Sequence, residues 1–331
     1  MTPQELKNSI LQLAIQGKLV EQRQDEGTAE ELYRQIQEEK RRLVKAEKTK
    51  KEKPLPEITE DEMPFDIPES WKWVHVGDIF AHNTGKAMNS SARQVGKTGS
   101  IRKFITTSNL YWDSFDLTAV KEMFFTDDEI ARCSATKDDI LMCEGGAYYG
   151  RTAIWNYEYD ICFQNHVHRL RAYAKVKEKF FYYVFRFFRE TGRMKSKGTA
   201  MPGLSSIVLH GLVIPLPPIA EQKRIVAKLE ELLPYIDRYE QAWSRLEDFN
   251  KRFPDDMKKS ILQLAIQGKL VEQQTEDGTG EELYQQIQAE KQRLIKAGKI
   301  KRKSLCLRSQ RMKSRLRFRK AGNGCGSNSL R

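Results

Sequence analysis

Fourteen consecutive residues occur twice in this chain. Ser9-Ile-Leu-Gln-Leu-Ala-Ile-Gln-Gly-Lys-Leu-Val-Glu-Gln22 returns unchanged at 260–273, an offset of 251. Over 7–50 against 258–301, 32 of 44 positions are identical. Solenoid repeats have periods of about 20–50 residues, so this offset instead describes one large module whose end repeats its own beginning. Each copy reads as two helices. Ile10, Leu13, Ala14 and Leu19-Val20 form an apolar stripe at helical spacing, interrupted at Gly17. Thr28-Ala-Glu-Glu31 and Thr279-Gly-Glu-Glu282 then fit a capping box, hydroxyl to a first-turn N–H and carboxylate back to the cap. Leu32, Ile36 and Leu43 mark one face of the second helix. A packing scaffold is the reading these parts support.

The repeat divides the rest of the chain. Residues 1–53 and 218–303 are helical in pattern. The second region opens on a long helix, expected over Ile219–Phe249, with Ile225, Leu229, Leu232, Ile236, Tyr239, Trp243, Leu246, Asn250 and Phe253 spaced alternately by four and three. That spacing is a coiled-coil seam, which requires a partner helix from the same or another chain. Pro234 should bend the helix, and Pro254 should end it or begin the next. Residues 54–74 are Pro-rich and acidic and read as an extended linker. Residues 75–217 have the mixed pattern of one α/β domain. In or at the edge of that domain, 74–80, 139–143, 152–155 and 166–171 are expected as strands. Residues 179–188 are an aromatic run that fits a buried helix and also permits a strand. The expected fold is α+β: one mixed domain flanked by long helices forming an antiparallel coiled coil.

Charge says less than it first promises. The formal net charge is +12, but residues 301–331 hold eleven Lys/Arg and no acid, leaving +1 for residues 1–300. The central domain carries its basic residues in acid-free runs: five over 81–112, four over 161–177 and three over 191–220. Such runs can converge on one positive face for phosphates, or remain scattered solvated charges. No apolar run approaches the ~20 residues of a membrane span, and the first residues lack a signal peptide's pattern. Five cysteines without a CxxC pair read as reduced thiols in a cytoplasm.

Each catalytic pattern that the chain suggests is incomplete. Gly96-Lys97-Thr98 suggests a phosphate loop, but Ser91 stands where the spacing needs glycine. Gly145-Gly-Ala-Tyr-Tyr-Gly150 is not a dinucleotide fingerprint; a tight turn explains its glycines. No Asn/Asp-Pro-Pro-aromatic tetrad of an amino-methyltransferase is present. Asp255, Asp256 and Lys258 echo nuclease chemistry, although acids beside Pro254 suit a helix start. Cys162, His166 and His168 would share a strand face, without a fourth zinc ligand at conventional spacing. No catalytic residue and no metal site is therefore assigned.

Recognition remains. Arg pairs with guanine and Asn or Gln with adenine, whereas Lys, Ser, Thr and Tyr serve phosphates. The candidate DNA contacts are Lys86, Asn89, Arg93, Lys97, Arg102 and Lys103 in one polar, basic stretch, then Ser108, Asn109 and Tyr111, then Tyr148, Tyr149 and Arg151, then Lys195 and Lys197.

Pro217-Pro-Ile-Ala-Glu-Gln-Lys-Arg-Ile-Val-Ala-Lys-Leu-Glu-Glu231 closely resembles the opening of the long spacer helix in specificity subunits of type I restriction–modification enzymes. Asp139-Ile-Leu-Met-Cys-Glu-Gly-Gly146, Gly150-Arg-Thr-Ala-Ile-Trp155 and Phe163-Gln-Asn-His-Val-His-Arg169 resemble motifs of that family's target recognition domain. The repeated 9–20 segment resembles its helical repeat. The resemblance covers about residues 1–303. It implies a non-catalytic subunit whose recognition domain reads one half of an interrupted target in double-stranded DNA. It also implies two adenine-N6 methyltransferase subunits and restriction subunits as partners, docked on helices that act as a ruler. Those partners, not this chain, would hold S-adenosylmethionine, ATP and Mg. Full-length members have two recognition domains and this chain has one, so a second copy or another half-subunit is implied. The alternative is an inert or regulatory half-subunit that binds methyltransferase without forming an active complex. Ala147-Tyr148-Tyr149 departs from the family's acidic-Pro type of sequence at that place.

The basic tail, 304–331, has a separate explanation. Codons exist for Ser304 to Lys313 that, read from their third base, spell Pro-Leu-Pro-Glu-Ile-Thr-Glu-Asp-Glu, the sequence of residues 54–62. The tail is thus expected to be a second linker translated out of frame, disordered and not selected as a DNA arm.

Overall fold

A computed structural model describes residues 1–46, 54–88, 98–194, 203–272 and 274–301. The expectations for the tail and for Asn89, Arg93, Lys97, Lys195 and Lys197 fall outside these residues. Two compact units are formed, Met1–Gln241 and Ala242–Arg331.

The first unit begins with the helical hairpin of the repeat, α1 (Pro3–Ile15) and α2 (Ala29–Lys45). Thr2 caps α1 reciprocally with Glu5, and Pro3 occupies the first turn, where no amide partner is needed. The helix stops because Gly17 adopts φ +69°, in the left-handed region, and a Cβ there would lie 2.5 Å from Pro68. The Thr28–Glu31 capping box forms as expected. Leu11, Ala14, Ile15, Leu32 and Ile36 are buried, so the amphipathic faces do close on a core.

After the hairpin come β1 (Lys72–His75), α3 (Val76–Ile79) and β2 (Phe80–Thr84). The strand expected over 74–80 is therefore broken by a helical turn. One continuous strand would put Asp78 on the same face as Val74, Val76 and Phe80, all buried. The turn instead buries Val76 and Ile79 and lets Asp78 accept from the His75 amide. Then follow β3 (Gly99–Ile105), β4 (Leu110–Tyr111), β5 (Ser114–Phe115), β6 (Lys121–Thr126), α4 (Asp127–Cys133), β7 (Ser134–Ala135), β8 (Ile140–Cys143), β9 (Thr152–Ile154), β10 (Ile161–Phe163) and β11 (Val167–Ala172). The chain continues through α5 (Glu178–Glu190), α6 (Ser206–His210), β12 (Val213–Leu216) and α7 (Ile219–Ile266). The expected strands at 139–143, 152–155 and 166–171 are thus present within a residue or two, and 179–188 is helix.

Two four-stranded sheets carry the domain, ordered β2-β11-β8-β9 and β6-β3-β10-β7, while β1 pairs with β12. Strand β8 shows why both of its faces are apolar. Ile140 and Met142 join the core beneath α5, whereas Leu141 and Cys143 join Phe163, Trp155 and Ile105 on the opposite side. Helix α5 is aromatic nearly all round, and Phe180 to Phe185, Phe187 and Phe188 are buried. Its core also takes in Leu11, Ile36, Trp71, Ile225 and Leu229. The N-terminal hairpin, the mixed domain and the start of α7 therefore share one core. Residues 54–74 are a strap against it: Trp71 is buried, its Nε1 donating to Glu221 at 2.8 Å, and Phe65 packs on Trp73 at 5.0 Å.

Helix α7 is 48 residues long and runs through both Pro234 and Pro254, so neither the end nor the restart expected at Pro254 occurs. A proline removes one helical hydrogen bond and crowds the preceding turn, at a cost of about 3 kcal/mol; favourable sequence on both sides outweighs it. The seam is also not one uniform surface. Ile225, Leu229 and Ile236 are buried within the first unit, Leu232 is half-buried there, and the half-buried Tyr239 donates from its hydroxyl to the Met1 carbonyl. The first three are core residues rather than partner-binding positions, because the chain itself covers them. Trp243 is half-buried. Leu246 and Phe253 are exposed, as are Met257 and Ile261 beyond them. In the second unit, the end of α7 is followed by α8 (Gly280–Lys296), whose Thr279–Glu282 capping box also forms.

Candidate nucleic-acid interface

The residues that converge come from two distant parts of the sequence. Tyr111 ends β4, in a hairpin whose turn places Asp113 at φ +60° and whose Asp113 amide donates to the Thr152 carbonyl. Tyr148 and Arg151 lie in the turn between β8 and β9. There the Gly150 amide donates to the Cys143 carbonyl and the Cys143 amide to the Arg151 carbonyl, both at 2.8 Å. Gly150 takes φ +78°, and a Cβ would meet Met194 Sδ at 2.9 Å, so this glycine is required. The Arg151 guanidinium consequently lies 3.7 Å from the centre of the Tyr148 ring and 5.2 Å from that of Tyr111. Both tyrosines are exposed. Flat aromatic faces attract and orient a guanidinium through their quadrupoles, leaving its planar fork defined before any ligand arrives. Behind this pair, Arg189 stacks on Tyr149 at 4.1 Å and donates from Nε to its carbonyl, so Tyr149 buttresses the turn.

Arg102 and Lys103 are exposed on β3 and line a cleft of about 500 Å³. Glu122, Asp160, Tyr159 and Cys162 share that lining, so it is not a purely basic surface. Ser108 is exposed, its hydroxyl 2.7 Å from that of Thr106.

Two candidate contacts are internal. Asn109 is buried: its Oδ1 accepts from the Thr106 amide and hydroxyl, and its Nδ2 donates to the Asp116 carbonyl, so its amide is spent on holding a turn. Lys86 is largely covered, donating to the Phe124 carbonyl at 2.9 Å and to Glu129 at 2.5 Å. A lysine so paired is not available to a phosphate. Burial raises the Glu129 pKa, but the bonds from Lys86 and the Thr126 amide outweigh that and hold its carboxyl below the usual range.

The acid-free run 161–177 likewise fails to make a positive face. Arg169 is buried and donates to the Ser134 carbonyl at 2.6 Å. Arg171 holds the buried Asp139 carboxylate through two bonds of 2.8 and 2.6 Å. The acid that neutralises this run lies 32 residues away in sequence, beyond the reach of a local count. Cys162 sits in β10 and His168 in β11, so the three residues weighed for zinc do not share a strand. His168 Nδ1 is 2.8 Å from His82 Nε2, and its Nε2 faces the Leu204 carbonyl at 2.7 Å. Burial lowers its pKa, against the opposing effect of that carbonyl. Among the described residues no group of three His, Cys, Asp or Glu side chains could hold a metal. Asp255 and Asp256 are exposed on α7, where their nearest cations are Lys258 and Lys259 of the same helix.

Sequence reasoning missed the supporting cast of α5. Arg186 lies over Trp112 at 5.7 Å, and Lys179 pairs with Asp113. The signal present was the placing of basic residues at one helical face of an aromatic run.

The first unit is thus a mixed two-sheet domain with the first copy of the helical repeat in its core and Arg151 stacked beside two exposed tyrosines. Residues 68–242, more than half of the chain, match the family model of the type I restriction modification DNA specificity domain. The chain belongs to that family. It is 28% identical over 352 residues to the type I restriction enzyme EcoAI specificity subunit of Escherichia coli, covering 90% of this chain and 57% of that protein. The EcoEI specificity subunit, also of Escherichia coli, is 26% identical, with 90% and 56% covered. The chain therefore spans a little over half the length of these relatives. Among solved structures, the HsdS subunit from Thermoanaerobacter tengcongensis has 20% identity and a TM-score of 0.43, covering 73% of this chain and 57% of that one.

Proposed function

We propose that the chain is the sequence-specific DNA recognition subunit of a type I restriction–modification system, reading one half of a bipartite target. The observation that carries this reading is Arg151 held between Tyr111 and Tyr148, a guanidinium pre-set for two parallel bonds to a guanine edge. Arg102, Lys103 and Ser108, all exposed, supply backbone contacts. The recognition domain comprises residues 75–217, with 1–53 and 218–303 as the conserved helical regions. These helices dock two adenine-N6 methyltransferase subunits, which bring S-adenosylmethionine, and restriction subunits, which bring ATP and Mg. The assembly acts in the cytoplasm. The exposed part of the seam, from Leu246 through Phe253, pairs with a second copy and so supplies the second half-site reader.

The test is to produce this chain with its methyltransferase and titrate the complex against cognate and random duplexes. Arg151→Ala is expected to cost about 1–3 kcal/mol on cognate DNA only, as the loss of a bidentate base contact does. Equal loss on both duplexes would reduce Arg151 to a general anchor, and no loss on either would overturn the reading. A complex that forms but never methylates would mark an inert half-subunit.

A further inference from the structure

The N-terminal hairpin is seated by apolar and polar contacts together. Leu11, Ala14, Ile15, Leu32 and Ile36 join the core of α5, Trp71 and Ile225. Around them, Gln22 bonds Glu221 at 2.5 Å, Glu26 takes two bonds from Arg224 at 2.7 and 2.6 Å, and Glu30 takes one from Lys72 at 2.7 Å. Gln37 and Lys40 donate to the carbonyls of Asp78 and Gly77. The hairpin is a plug, and the rest of the first unit is its socket.

Shifted by 251 positions, this set survives in the second copy. The apolar residues become Leu262, Ala265, Ile266, Leu283 and Ile287, each the same residue type. Of the polar keys, Gln22, Glu30, Gln37 and Lys40 become Gln273, Glu281, Gln288 and Lys291 unchanged, and Glu26 becomes Asp277, keeping the charge that Arg224 reads. Local form survives as well. Gly17 and Gly27 have φ +69° and +79°, and Gly268 and Gly278 have +66° and +71°. Yet Leu262, Ile266, Leu283 and Ile287 are 61, 55, 58 and 54% exposed, where their counterparts are at most 7%. The second hairpin carries the same apolar face and a matching set of polar residues, and its apolar face is exposed.

We propose that the second hairpin, residues 260–296, is a docking plug for another recognition unit of this same kind whose own N-terminal hairpin is absent from its socket. Charge complementarity fixes the occupant: Asp277 and Glu281 match the cations of such a socket, Arg224 and Lys72. An occupied socket does not exchange, because its own hairpin is tethered and acts at a high effective concentration. The second hairpin thus captures only units with an empty socket. This inference does not depend on which bases are read, and its test uses no DNA.

The experiment uses full-length chains. A tagged chain carrying Leu11→Asp and Ile36→Asp has an emptied socket, and adding Leu262→Asp and Ile287→Asp removes its own donor plug. It is isotopically labelled and measured alone, with the unlabelled wild-type chain, or with an unlabelled Leu262→Asp, Ile287→Asp donor. Amide hydrogen exchange is then followed over α5 of the labelled chain only, which reports closure of the emptied socket independently of any seam contact between chains. Protection is expected with the wild-type donor, and loss of protection alone and with the variant donor. Protection without a donor, equal protection by both donors, or none with the wild type overturns the proposal. The last result also assigns the exposed face to a different class of partner.

Discussion

Arg151 and Arg171 are both arginines in polar strand-edge sequence, and they do different work. Arg171 is bound to a buried carboxylate, so removing Asp139 strands the cation and the Thr136 amide that the same carboxylate accepts. Asp139→Ala is expected to destabilise the first unit by about 1–3 kcal/mol, the scale for leaving donors without their acceptor, read as a shifted urea midpoint. His168 supplies a pH effect. Burial depresses its folded pKa below the ordinary 6.5, so the unfolded chain takes up the proton first. Stability is therefore full above pH 6.5 and declines as pH falls from there towards the folded value. His168→Gln is expected to flatten that decline in denaturation midpoints measured from pH 7.5 to 5; an unchanged slope would place the titration elsewhere.

The duplicated hairpin separates propensity from packing at the scale of single elements. Thr28 and Thr279 make the same capping box, in one sequence context, on helices of 17 residues each. Only the first helix is held in a core. Thr28→Ala is expected to lower the global stability of the first unit by about 1 kcal/mol. Thr279→Ala should leave that transition in place and speed amide exchange only along α8. Tryptophan fluorescence suits the first measurement, because four of the five tryptophans, Trp71, Trp73, Trp112 and Trp155, lie in the first unit and Trp243 alone in the second. Helix α7 makes a related point. Its seam was legible as a heptad, but the pattern could not say that Ile225, Leu229 and Ile236 are consumed by the chain's own core while Leu246 and Phe253 stay exposed.

For the whole molecule, the proposed reading gives one recognition domain to one half-site, and on that reading the apolar seam residues pair two copies about a two-fold axis. Leu246→Asp with Phe253→Asp is expected to turn a dimeric complex into a monomeric one by sedimentation, and to abolish methylation of an interrupted palindrome. A mass unchanged by both substitutions would place the contact on another surface.

The sequence alone determined whatever is local: both capping boxes, the break at Gly17 and three of the central strands. Each depends on residues within a few positions of one another, so their physics is complete in a short window. Tertiary structure decided the rest. It brought Tyr111 to Arg151 and Asp139 to Arg171, withdrew Lys86 and Asn109 from the candidate surface, and broke the strand at Val76 so that Asp78 need not be buried. It also gave two nearly identical hairpins opposite fates, one buried and one exposed. Burial is a property of what lies across the core, and identical sequence cannot encode a difference in surroundings.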